Sequence, residues 1–261
     1  MPYQTLTLAR EEQVALVTLN RPEKRNAISA QMIEELLAAL EECEKRTARV
    51  VILTGAGKAF CSGMDLDALR ALSSQSREQN LEDSRRMAKL FRRLYEFPVP
   101  LIAAVNGAAI AGGTGIATLC DFTLAVPEAK FGYTEVKIGF VPAIVSVFLL
   151  RQVGEKRARD LLLTGRILDA AEAQALGLVS EIVPPERLLA RARELAASLL
   201  AASPTSLRRT KALLGSYAAA QLDREIELAI AANADVRSTA NFREGLSAFL
   251  EKRAPDWKAE D

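Results

Sequence analysis

The chain has 261 residues, 49% of them hydrophobic, enough for a sizeable core in one large domain or one domain with an extension. Its 34 basic and 33 acidic residues leave a net charge of +1, which argues against a nucleic-acid surface as its main business. It holds no histidine, which removes Ser-His-Asp and Cys-His hydrolysis, His-ligated zinc and imidazole proton transfer; carboxylates, Lys, Tyr, Cys or water must move any proton.

The amino-terminal MPYQTLTLAREEQ lacks a basic stretch followed by an apolar one, so no secretory leader is expected. QVALVTLN (13–20) is rich in β-branched residues and reads as a strand. RPEKRN (21–26) is a polar turn opened by Pro22. Ser29 suits the N-cap of an amphipathic helix over 30–45, where Ile33, Leu36, Leu37 and Leu40 recur at helical spacing. RVVILT (49–54) is a buried strand ended by Gly55 and Gly57. Strand, helix and strand in that order suggest a crossover unit on a parallel sheet. A small-residue turn containing Gly63 then leads to Met64 and Asp65, where a second helix starts with Asp65 as its cap. Residues 73–83 are polar and read as a mobile loop, followed by a helix from about Ser84 to Phe97.

The most informative stretch runs from Pro100 to Glu135. Leu101–Val105 is a buried strand, Asn106-Gly107 breaks it, and Gly112, Gly113 and Gly115 stand where the next apolar stretch begins. A backbone without side chains can approach a ligand closely and aim its N–H groups at an oxygen. A second buried strand, Phe122–Val126, leads to Glu135. Beyond it come a loop and a buried helix, a helix over 155–164, then a turn, a short helix and a strand. An Ala/Leu-rich helix covers 190–202. Past Ser203-Pro204 the pattern is almost wholly helical, with Leu222, Ile226, Ala229, Ile230 and Asn233 on one face and Phe242, Leu246, Phe249 and Leu250 on another. No apolar run reaches the ~18 residues that cross a bilayer. Cys43, Cys61 and Cys120 lack metal spacing and suit packed thiols in a reducing, cytoplasmic setting.

Six segments, taken together and in order, resemble the crotonase superfamily of enoyl-CoA hydratases and isomerases. They are NRPEKRNAIS (20–29), VVILTGAGKAFCSGMDL (50–66), PLIAAVNGAAIAGG (100–113), CDFTLAVPEAKFGYTEVKIGFVP (120–142), LLTGRILDAAEAQALGLVSEIV (162–183) and EGLSAFLEKRAPDW (244–257). The resemblance implies an α/β fold, a spiral of ββα units over 1–202 with a helical oligomerisation or lid region over 203–261, and homotrimers or dimers of trimers. It implies an acyl-CoA thioester as substrate, with coenzyme A part of that substrate, and no metal, redox cofactor, nucleic acid or membrane. The backbone N–H groups of Met64 and Gly112 would form an oxyanion hole. Glu135 matches the second of two glutamates that share a water in the family's hydratases. The first belongs at Gly115, which has no acid to give. The resemblance also places Lys24, Arg25, Ala27, Ser62, Asp65, Leu66, Gly113, Gly115 and Tyr133 along the substrate, with Phe249 and Lys252 able to reach a neighbouring subunit's CoA.

The lead expectation is therefore a one-acid enzyme that transfers a proton at C2 of an enoyl-CoA through a thioester enolate, as a hydratase or double-bond isomerase. A non-catalytic acyl-CoA-binding or regulatory member and a thioester hydrolase are the alternatives.

Overall fold

The computed structural model describes residues 3–257 apart from 47 and 73. The chain opens with an antiparallel hairpin of β1 (Leu6–Glu11) and β2 (Val14–Leu19). Helix α1 (Ala30–Lys45) follows, capped by the Ser29 hydroxyl, which accepts from the Met32 N–H at 3.2 Å. The winding then repeats. β3 (Val50–Gly55) and β4 (Ala59–Cys61) lead to α2 (Leu66–Leu72) and α3 (Arg77–Tyr95). β5 (Leu101–Val105) and β6 (Ala108–Ile110) lead to α4 (Gly112–Thr118). β7 (Phe122–Ala125) and β8 (Lys130–Gly132) lead through a single 3-10 turn, Glu135–Ile138, to α5 (Ala143–Val153).

From β3 on, each winding gives its first strand to one sheet and its second to another. The larger sheet runs β1-β2-β3-β5-β7-β10 and the smaller β4-β6-β8-β9. From β2 onward the larger sheet is parallel. β3 and β5 are apolar almost throughout because both faces of a parallel sheet are covered. The spiral of ββα units is present as expected.

The chain continues through α6 (Glu155–Thr164), β9 (Ile167–Asp169), α7 (Ala170–Ala175), β10 (Glu181–Ile182) and α8 (Leu188–Leu200). Three further helices close it: α9 (Pro204–Ser216), α10 (Ala219–Val236) and α11 (Ala240–Glu251). α10 returns against α3 and α5, burying Leu222, Ile226, Ala229, Ile230 and Asn233. α11 sets Phe242 and Leu246 beside Phe140, Leu69 and Leu72 in a small second core.

Two expectations are corrected. Of the loop expected over 73–83, Ser73 lies outside the described residues, while 77–83 form the first turns of α3. Ser76 and Gln79 make a capping box: the Gln79 N–H donates to the Ser76 hydroxyl at 3.2 Å, and the Ser76 N–H to Gln79 Oε1 at 2.8 Å. That reciprocal pair starts a helix in a sequence too polar to announce one. Phe249, expected to share one face with Phe242, Leu246 and Leu250, is 49% exposed while Phe242 and Leu246 are buried.

Candidate active site

Two turns, one from each of the first two windings, build the site. In the first, Gly63 holds φ 88°, a backbone that favours glycine. A Cβ there would stand 3.0 Å from the Ile110 oxygen and 3.2 Å from Ala111 Cβ. The Ile28 N–H donates to Gly63 O at 2.7 Å and the Asp65 N–H to Ile28 O at 2.9 Å. This parallel bridge joins Ile28 to Met64 and uses the groups on either side of Met64. Among the described residues the Met64 N–H has no acceptor.

In the second turn, Ala111 is held at φ 51°, ψ −123°, with its N–H donating to Gly132 O at 2.7 Å. A non-glycine residue in that region carries strain of roughly 1–3 kcal/mol. The twist starts α4 at Gly112, whose N–H falls in the first helical turn and has no intrahelical acceptor. The two turns pack against each other, Gly63 on Ala111, so the residues after each stand on one cavity wall.

That cavity has a volume of about 710 Å³. Met64, Gly112 and Glu135 line it together, as do Lys24, Arg25, Ala27, Ser62, Leu66, Phe249 and Lys252. Glu135 opens the 3-10 turn, and its backbone oxygen accepts from the Phe140 N–H at 3.0 Å. The residue is 9% exposed, and its Oε2 is buried without a hydrogen-bond partner. Burial pushes its carboxyl up to about 7, against a small opposing pull from a backbone hydrogen bond.

Four residues expected along the substrate do not line the cavity. Asp65 is tied down behind it: burial would raise its carboxyl, but the Asp67 N–H and the Arg21 guanidinium outweigh that and lower it. Arg21 Nη2 meets Asp65 Oδ2 at 2.8 Å. Gly113 packs against the backbone of Cys61. The Tyr133 hydroxyl lies 3.3 Å from Thr118 Oγ1, fully buried, and burial raises its phenol. Gly115 is enclosed by the cavity's own lining. A Cβ there would come within 2.8 and 2.9 Å of the Phe91 ring and 3.0 Å of Val145 Cγ1. Phe91 and Val145 thus present an apolar wall in the space a side chain at 115 would enter.

A family model described as enoyl-CoA hydratase/isomerase matches residues 9–260. The chain belongs to the enoyl-CoA hydratase/isomerase family. It is 50% identical over 243 residues to a Thermus thermophilus protein provisionally named an enoyl-CoA hydratase, covering 93% of this chain and 96% of that one. It is 34% identical to a crotonyl-CoA hydratase of Syntrophomonas wolfei, over 97% of each chain. Among solved structures, an enoyl-CoA hydratase/isomerase of Xanthobacter autotrophicus superposes with a TM-score of 0.88 at 31% identity, over 96% of this chain and 97% of that one. The chain is thus a crotonase-fold enzyme of the enoyl-CoA hydratase/isomerase type.

In this family member the exposed and buried parts of the cavity differ in kind. At the mouth, Lys24 Nζ meets Asp67 at 2.9 Å, and that hydrogen bond raises its ammonium. Phe249 and Lys252, two of the residues expected along the substrate, line this chain's own cavity. Several supporting residues carried no signal in the sequence that tied them to the site. Asn26 Nδ2 donates to Ala56 O at 2.9 Å and Ala59 O at 2.8 Å, pinning the 21–26 turn to the β3–β4 connection. Phe91, Asn233 and Arg237 reach the cavity from helices distant in sequence. Asn26 was readable as a turn residue; the others look like ordinary helix residues.

Proposed function

We propose that Glu135 moves a proton at C2 of an enoyl-CoA thioester while the amides of Met64 and Gly112 hold the thioester oxygen. The observation that carries this reading is a buried carboxyl with one oxygen unpartnered, raised toward neutrality, lining the same cavity as two residues whose amides lack acceptors. In the double-bond shift, Glu135 takes a proton from C2 of a 3-enoyl thioester. The electron pair moves onto the thioester oxygen as a dienolate. The proton returns at C4, leaving the 2-enoyl ester and a carboxylate ready for the next cycle. Two amides aimed at the oxyanion each contribute on the order of 3 kcal/mol to the barrier drop. One acid suffices for this cycle, and the Phe91–Val145 wall at Gly115 supports it over a two-carboxylate route. The names of the relatives support hydration, in which Glu135 would activate a water and deliver a proton to C2.

Proton transfer of this kind calls for no metal or redox cofactor; coenzyme A enters with the substrate. The three buried, unpaired cysteines support a reducing, cytoplasmic setting. α9 buries none of its residues and exposes Leu213 and Leu214, with Tyr217 just beyond it, which supports a homotrimer or dimer of trimers; light scattering after gel filtration reads it. The function is tested with a 3-enoyl-CoA and crotonyl-CoA on wild type and Glu135→Gln. Loss of both activities in the variant is expected. Unchanged turnover in Glu135→Gln rules out the role given to this residue.

A further inference from the structure

Two residues on the cavity wall are both ionisable and buried: Glu135, and Arg237, which is 2% exposed just past the end of α10. The other charged lining residues, at the Lys24, Arg25 and Lys252 end, are exposed. The two terminal nitrogens of Arg237 are committed. Nη1 meets Asp83 Oδ2 at 2.8 Å and Asn80 Oδ1 at 3.1 Å, and Nη2 donates to Asn233 Oδ1 at 2.7 Å. Its Nε–H is buried with no acceptor. Asn233, which also lines the cavity, donates from Nδ2 to Val141 O at 3.5 Å, a long bond that engages one of the two N–H donors of that amide. Among the described residues, Arg237 Nε and Glu135 Oε2 are the buried polar atoms left unpaired on residues of this cavity.

An unpaired buried donor costs stability, and a plain alkyl chain against it would leave that cost in place. Arg237 is also not what raises Glu135, whose shift comes from burial. The guanidinium stands over the Phe140 ring, 5.4 Å from its centroid, and Phe140 is bonded through its N–H to Glu135 O. Arg237 is thus linked through Phe140 to the backbone of the proton carrier, and both are buried where the other charged lining residues are exposed.

We infer that Arg237 and Asn233 form a subsite for an oxygen acceptor on the acyl chain, so that this enzyme selects oxygenated enoyl-CoA esters over plain alkyl ones. This rests on the acyl-CoA reading above. The acceptor is a carboxylate or hydroxyl oxygen beyond the reacting carbons. It takes the Nε–H of Arg237 and an N–H of Asn233, while the Asp83 pair keeps the guanidinium in place. Arg237 here is a specificity-determining residue and takes no part in proton transfer.

The test compares three six-carbon enoyl-CoA esters ending in a methyl, a hydroxyl or a carboxylate, with wild type, Arg237→Met, Arg237→Lys and Asn233→Ala. Wild type is expected to favour at least one oxygenated ester by about tenfold or more in kcat/KM. Which of the two it favours identifies the acceptor. Arg237→Met should bring the ratio close to one, with Arg237→Lys retaining part of it; Asn233→Ala reads the same subsite if Arg237→Met does not fold. A purely structural role for Arg237 would lower all three esters alike and leave the ratio unchanged, which overturns the inference, as does a wild-type preference for the methyl-ended ester. Calorimetric binding of the saturated, unreactive counterparts separates the two readings. If no ester is turned over but the oxygenated one still binds more tightly, the proton-transfer reading fails and the subsite stands.

Discussion

Glu135 carries opposing demands in one side chain. Burying a carboxylate with one oxygen unpartnered is costly, and burial raises the carboxyl from 4.5 to about 7. A base with that pKa is half-ionised near neutrality, where a proton carrier works best. The kcat/KM of wild type should therefore rise through a single step centred near 7, and Glu135→Gln should lose roughly 10²–10⁴ in kcat. The same shift has a consequence for stability. The folded-state value lies above the unfolded one, so Glu135 costs nothing below 4.5. Above that the unfolded chain ionises first, and stability falls until the folded value near 7 is passed. Glu135→Gln cannot ionise. It should be more stable than wild type at about pH 8, by up to about 3 kcal/mol, and no more stable at about pH 4. Urea unfolding at the two pH values checks this, and equal stability at both contradicts it. The sequence pointed to Glu135 only through the segment around it. Nothing local shows its burial, because the cavity it lines is closed by residues distant in sequence such as Phe91, Asn233 and Arg237. The same holds for Tyr133, two residues away yet behind the wall.

At the scale of elements, the site depends on how β6 hands over to α4. Ala111 is held in a strained conformation so that Gly112 begins the helix on the cavity wall. Ala111→Gly relieves that strain, roughly 1–3 kcal/mol, against a smaller entropic loss of about 0.4–1 kcal/mol. Its melting temperature should rise or hold while kcat falls, because the Gly112 amide is less firmly placed; a kcat equal to wild type would show that the placement does not need Ala111. Four residues on, Gly115→Glu forces a side chain into Phe91 and should cost about 1–3 kcal/mol or more. Combining it with Phe91→Ala should cost less than the two changes summed, and additive losses in a denaturation series would contradict that coupling. Long amphipathic helices such as α1 were readable to the residue, because period and cap agree. α3 began seven residues earlier than its pattern suggested, since a capping box outweighs low hydrophobicity there. β4, β6 and β8 are three residues each, too short for any period, and only the spiral pairing defines them.

At the scale of the molecule, the spiral brings two distant turns together and the carboxy-terminal helices close the cavity over them. Phe242 is fully buried, with its ring 5.4 Å from Phe140, the residue bonded to Glu135's backbone. Phe242→Ala should cost about 3–5 kcal/mol. It should also lower activity in what remains folded, as read by calorimetry alongside turnover. Residues 203–257 were readable as helices, and Phe249 and Lys252 as substrate contacts through the family resemblance; Asn233 and Arg237 were not, because they stand on α10 and its end and only the tertiary fold turns them to the cavity. All three scales meet in one proposal: a buried carboxyl, in one cavity with two amides that lack acceptors, exchanges a proton at C2 of a CoA thioester. The most direct measurement is deuterium uptake at C2 of a bound acyl-CoA in heavy water, followed by mass spectrometry. Wild type should label C2 and Glu135→Gln should label it at least a hundredfold more slowly. Equal labelling by both proteins, or none by wild type, would contradict the account.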